Sequence, residues 1–201
     1  MDSTTTSARR TDRIRRARGF TLSEVLIASA LSAFVLAAVM SAFLFLGRSG
    51  LRAGNASEME GEVRRALEIF AQETRIATNL RWNSAQSVTL TLPAGSPATQ
   101  VTYAYDADAR SATFRSFYRT AGDASSTAPR RVLVRNVAED FTFRRYKLEQ
   151  PGVADNTAAT DAETKQLQLV LRTERLNTAT AGGTQSVASA RYILRNKRVS
   201  N

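Results

Sequence analysis

Polar and apolar residues follow one another along this chain in three regimes. The first is continuous: from Val25 to Gly47, 23 residues, no side chain is charged. A helix of that length extends about 34 Å, slightly more than a hydrocarbon core of about 30 Å. The second, over residues 55–80, has a helical period. Met59, Val63, Ala66, Leu67, Phe70, Thr74 and Ala77 share one face, while Glu60, Arg64, Glu68, Gln72 and Arg75 lie elsewhere. Between the two, Gly47, Gly50 and Gly54 each disfavour helix by about 1 kcal/mol relative to alanine, which allows either a break or a stem that bends.

After Trp82 the period shortens to two. Val88–Leu92, Val101–Tyr105, Thr113–Tyr118, Arg131–Arg135, Phe141–Tyr146, Lys165–Thr173 and Ala188–Leu194 read as short strands. Pro93–Pro97, the residues around Asp108 and Ala121–Pro129 read as turns or exposed loops, Gln150–Ala162 as a long loop and Thr178–Gln185 as a hairpin connection. The apolar face of 55–80 needs something to pack on, and the strand-rich remainder is the only candidate of sufficient size. The expected class is α+β: a long N-terminal helix, one half membrane-spanning and one half amphipathic, packed on a small antiparallel sheet.

Composition narrows the chemistry. With 201 residues the chain holds one domain plus an anchor. It has no cysteine, hence no disulfide and no thiolate metal site, and no histidine, the commonest metal ligand and neutral-pH base. Asp106 with Asp108, and Glu139 with Asp140, read as solvated pairs rather than a general acid and base. Asp155, Asp161 and Glu163 offer oxygen ligands but match no fixed cation spacing. Neither a catalytic residue, a cofactor nor a metal is expected. The formal charge is +10, and six arginines against two aspartates concentrate +4 of it in residues 1–19. Tyr118, Tyr146 and Tyr192 fall within strand patterns and read as packing residues, so nucleic acid is not an expected partner.

The arginines before the apolar run place the N-terminus in the cytoplasm and the bulk of the chain across the membrane. The run also exceeds the 7–15 residues of an ordinary signal-peptide core. Glu24 fits a plain anchor poorly, because a lone carboxylate at hydrocarbon depth costs about 2.5–3.5 kcal/mol. A cut between Gly19 and Phe20 would expose an α-amine able to pair with Glu24 of a neighbouring copy. Small residues along the run, among them Ala28, Ser32, Ala33, Ala37 and Ala38, would let helices approach closely.

The stretch Arg18–Ile27, R-G-F-T-L-S-E-V-L-I, resembles the processing and methylation motif of type IV prepilins and type II secretion pseudopilins. That resemblance implies cleavage after Gly19 by a prepilin peptidase, N-methylation of Phe20, and a role for Glu24 in subunit recruitment. Ala66–Ala77 and Val132–Tyr146 are similar to segments of J-type minor pseudopilins and W-type minor pilins. The implied organisation is a cytoplasmic leader (1–19), an assembly helix (20–47), a stem with the amphipathic helix (48–82) and a head (83–201). The implied partners are the peptidase, other pilin or pseudopilin subunits, an inner-membrane assembly platform and, before assembly, lipid. The implied location is the bacterial inner membrane, then a periplasmic pseudopilus or a surface pilus. A membrane-tethered binding or sensor module and a DNA-contacting minor pilin remain as alternatives.

Overall fold

The computed structural model describes residues 19–149, 151–152, 155–175 and 184–198. The basic leader and most of the Thr178–Gln185 connection lie outside them. One helix, α1, runs from Leu22 to Ile76, and eight strands follow: β1 (Asn79–Ser84), β2 (Ser87–Thr91), β3 (Gln100–Tyr105), β4 (Phe117–Ala121), β5 (Arg131–Val134), β6 (Thr142–Tyr146), β7 (Gln166–Arg175) and β8 (Thr184–Ile193). The chain divides into two compact units at Gly47 and Arg48.

In the first unit every described residue from Gly19 to Gly47 is exposed, including the large apolar side chains from Phe20 to Leu46. A helix apolar on all sides is not the surface helix of a globular domain. Its apolar stretch is long enough, by length and composition, to cross a membrane once. Gly47, Gly50 and Gly54 are all helical, so they form no break, and a Cβ added to any of them would meet open space.

The second unit is helix on antiparallel sheet. β1 to β5 form one sheet in sequence order and β6 to β8 a second. Within each sheet neighbouring strands are consecutive in the chain and antiparallel. Val63, Ala66 and Phe70 of α1, with Ala77 just past its end, enter the core with Leu80, Val88, Leu90, Val101, Leu167, Leu169 and Leu171. Phe70 touches both sheets. Its ring lies 4.9 Å from Tyr103 and 6.4 Å from Phe117 in the first, and 5.7 Å from both Phe143 and Tyr192 in the second.

Polar bonds fix the helix where the apolar contacts place it. Arg119 of β4 grips Glu73 of α1 through Nη2 at 2.8 Å and Nε at 3.0 Å, and the Tyr103 hydroxyl donates to the same carboxylate at 2.5 Å. Burial, then the Glu73 charge, pushes the Tyr103 phenol far above its ordinary range, so it stays a donor. The two sheets are joined by Phe143 N–H to the Ala85 carbonyl and Ala138 N–H to the Arg172 carbonyl, both 2.7 Å. Arg115 holds a left-handed backbone (φ 56°), and its guanidinium reaches the Val137 carbonyl and Glu174 in the second sheet.

The helix ends earlier than its sequence pattern predicts. It stops at Ile76, where the Thr78 amide turns to the Thr91 carbonyl and Asn196 Nδ2 caps the Ile76 carbonyl at 3.1 Å. Residues 79–84 then form β1. In the next irregular case, Thr113–Arg115 belong to a turn and β4 begins only at Phe117, because Asp106 draws the turn inward.

Truncating Phe70 to alanine should cost about 3–5 kcal/mol in urea unfolding, since its ring is shared by both sheets. Thr74 is also fully buried on the same face, but its hydroxyl has no partner. Thr74→Val should therefore be neutral or stabilise by up to about 1 kcal/mol. A loss as large as that of Phe70→Ala would contradict this reading of the helix face.

Candidate functional site

The residues around the Gly19–Phe20 bond sit at a helix start. Gly19, Phe20 and Thr21 precede α1 and are exposed, with Phe20 86% accessible. Thr21 and Glu24 bond reciprocally. The Thr21 N–H donates to Glu24 Oε2 at 2.9 Å, and the Glu24 N–H donates to Thr21 Oγ1 at 3.3 Å. The Thr21 hydroxyl also donates to Glu24 Oε2 at 3.0 Å. This is a capping box: a threonine N-cap and a glutamate three residues on satisfy helix-start amides that otherwise lack partners. The first helical bond, Val25 N–H to the Thr21 carbonyl, follows at once.

Glu24, a lone carboxylate by the apolar pattern, receives two donors from Thr21. None of these donors carries a charge, and the helix N-terminus adds only its partial positive charge. The T-x-x-E spacing was readable in Thr21–Glu24, and it makes Thr21 the N-cap, a role that the apolar pattern alone does not single out.

The small residues are distributed by helical geometry. Glu24, Ala28 and Ser32 recur every four positions and share one face of α1. Ala33, Ala37 and Ser41 share a face about half a turn away, and Ala38 lies between. All are exposed. The helix therefore offers close approach on opposite sides.

The acidic residues of the head are held by structural bonds. Asp106 is not solvated: it is 6% exposed and accepts from Ser111 Oγ, Thr113 Oγ1, the Asp108 amide and Arg130 Nη1. Burial opposes its ionisation, but the two hydroxyls, the amide and Arg130 outweigh it and hold the carboxyl below its ordinary value. Asp140 pairs with Arg172 at 3.0 Å. Asp161 accepts from the Trp82 amide and from Arg145, and Glu163 lies 3.3 Å from Lys147. Among the described residues no group of three or more histidine, cysteine, aspartate or glutamate side chains is placed to hold a metal. Of the tyrosines within strand patterns, Tyr118 and Tyr146 carry arginines on their rings, Arg130 at 4.5 Å and Arg191 at 3.9 Å, while Tyr192 packs edge-on against Phe70.

The sequence family described as the prokaryotic N-terminal methylation motif matches residues 14–40. No curated protein matches the chain. The matched segment spans the Gly19–Phe20 junction, the capping box and the first part of the apolar helix. A long N-terminal helix with this motif, followed by helix packed on an antiparallel head, is a pilin-like α+β architecture. It is consistent with the pilin and pseudopilin superfamily.

Replacing Thr21 with alanine removes one half of the capping box. The first-turn amides of residues 22–25 should then exchange with solvent about fivefold faster in detergent micelles, the equivalent of about 1 kcal/mol of capping. Unchanged exchange would show that the helix start does not depend on Thr21.

Proposed function

We propose that this chain is a non-enzymatic structural subunit of a type II secretion pseudopilus or a type IV pilus. A prepilin peptidase cuts it after Gly19, the new Phe20 amine is methylated, and the helix then carries the subunit into a filament. The observation that carries the reading is the motif match over residues 14–40, laid on a helix whose first turn holds Glu24 beside the junction. Its similarity to J-type pseudopilins and W-type pilins over Ala66–Ala77 and Val132–Tyr146 favours a minor subunit.

Before assembly, lipid covers the apolar half of α1, with the leader in the cytoplasm and the head in the periplasm. The exposed Gly19–Phe20 bond lies outside the helix, where a peptidase can hold it in extended form. Cutting leaves a positive amine one residue from the capping box. In the membrane, Glu24 keeps its two uncharged donors from Thr21. In the filament, the amine of an adjacent subunit supplies the opposite charge, and the pair rewards one axial register over others. The opposed small faces around Ala28 and Ser32, and around Ala33 and Ala37, let each helix pack against more than one neighbour. The partners are thus the peptidase, other pilin or pseudopilin subunits, the inner-membrane assembly platform and lipid.

Glu24→Ala should insert in the membrane and be cut normally, yet fail to enter filaments isolated from cells. Incorporation at the wild-type level would remove Glu24 from the mechanism. Gly19→Leu should accumulate at precursor mass on immunoblots, and normal processing would refute the assigned junction.

A further inference from the structure

The edges of a sheet present unpaired N–H and C=O groups, and folded proteins shorten, twist or cover them. The head has four edges, β1, β5, β6 and β8, and three carry such protection. At β1 the Trp82 amide donates to Asp161 at 3.1 Å, and a register shift between Trp82 and Ser84 disrupts the ladder. β6 is covered by the chain around Asn156–Ala158: the Lys147 amide bonds to Asn156, the Ala158 amide to Arg145, and Tyr146 bridges Thr157. β5 has only four residues, flanked by Pro129 and Arg135.

β8 differs on each count. It is ten residues long, contains no proline and, among the described residues, pairs only with β7. Val187 and Ile193 are 68% and 45% exposed along it. Beside it an open groove of about 590 Å³ separates the strand from α1. Val63, Leu67 and Ala71 form the helix wall, and Val187, Ala188 and Tyr192 the strand wall.

The groove is charged unequally at its ends. Along the helix wall its rim is mixed, with Glu60, Arg64 and Glu68. At one end, close to where Asn196 caps Ile76, a smaller hollow is lined by Arg75, Arg191 and Arg195. Arg75 and Arg195 form no ion pair among the described residues, whereas the Arg191 guanidinium is already engaged, over the Tyr146 ring at 3.9 Å and 3.6 Å from Glu149.

We propose that β8 and this groove receive an extended segment of another polypeptide as an added strand, apolar at alternate positions and carrying a carboxylate beside Arg75 and Arg195. Main-chain bonds to the free edge hold such a strand, and its alternate side chains enter the groove. The arginine end sets its direction and selects an acidic partner. Because every feature used here belongs to the second unit, the site stands or falls independently of whether the apolar half of α1 enters a filament.

The test uses the full chain in detergent micelles and two blocked heptapeptides of alternating valine and threonine, one ending in glutamate and one in lysine. The glutamate peptide should slow amide exchange across residues 186–192 about tenfold at saturation. It should also bind about fivefold more tightly than the lysine peptide. Arg75→Glu combined with Arg195→Glu, both at exposed positions, should reverse that preference, and Val187→Lys should weaken both peptides. Thermal melting of the variants checks that they remain folded, and the wild-type comparison decides the question without them. No slowing at β8, slowing at β5 instead, or equal binding of the two peptides would overturn the proposal. Slowing that grows with protein concentration in the absence of peptide would overturn the partner assigned, by making a second copy of this chain the occupant.

Discussion

Twenty-three consecutive uncharged residues, exposed on every side of a helix, cannot remain in water. Each large apolar side chain left in solvent forgoes about 1.5–3 kcal/mol of burial. Only lipid or other helices of the same kind can cover such a surface completely. The rest of the protein is organised around that requirement. Charged residues precede and follow the run, and the helix continues past it into a domain with a core of its own. A capping box at the first turn lets the helix begin two residues after Phe20 with leading amides satisfied.

Lipid and helix are nearly equal as apolar surroundings, so greasiness alone gives a subunit little reason to leave the bilayer. Small side chains and a poorly neutralised carboxylate can supply that reason. Alanine and serine on opposed faces allow close backbone approach that lipid tails do not match. In the proposed filament, Glu24, bonded to neutral donors alone, would gain from a neighbour that offers a positive charge. The head contributes differently. Phe70 is packed against aromatic rings of both sheets, and Glu73 is gripped by Arg119 and Tyr103, so the lower half of α1 cannot shift without disturbing the domain.

Much of this was legible in the sequence. The residues from Met59 to Ala77 that the period assigns to one face are buried, Leu67 only in part, and Ala71, which it does not assign there, is buried with them. Seven strands were readable from alternation. The eighth, β1, was not, because Asn79–Ser84 offers only Leu80 and Trp82 as apolar residues and directly continues a helical pattern. Trp82 is held there partly by Arg145 over its ring at 5.0 Å, a contact with no local signature. Glycine propensity misled at residues 47–54, where about 1 kcal/mol per residue did not interrupt the helix. Asp106 misled for another reason. Its neighbours spell an exposed turn, and only the fold brings Arg130 and the Thr113 hydroxyl to it. Long-range polar bonds of this kind leave no periodic trace, whereas apolar faces do. The capping box is the opposite case, a local spacing fully visible in Thr21–Glu24.

The central claim is that the helix becomes an assembly element only after its leader is removed. The most direct measurement is the N-terminal mass of the mature chain, recovered from cells that contain a prepilin peptidase. A chain that starts at Phe20 and carries one added methyl group on its amine is the predicted result. A chain that keeps its leader, or that starts at any other residue, would contradict the account.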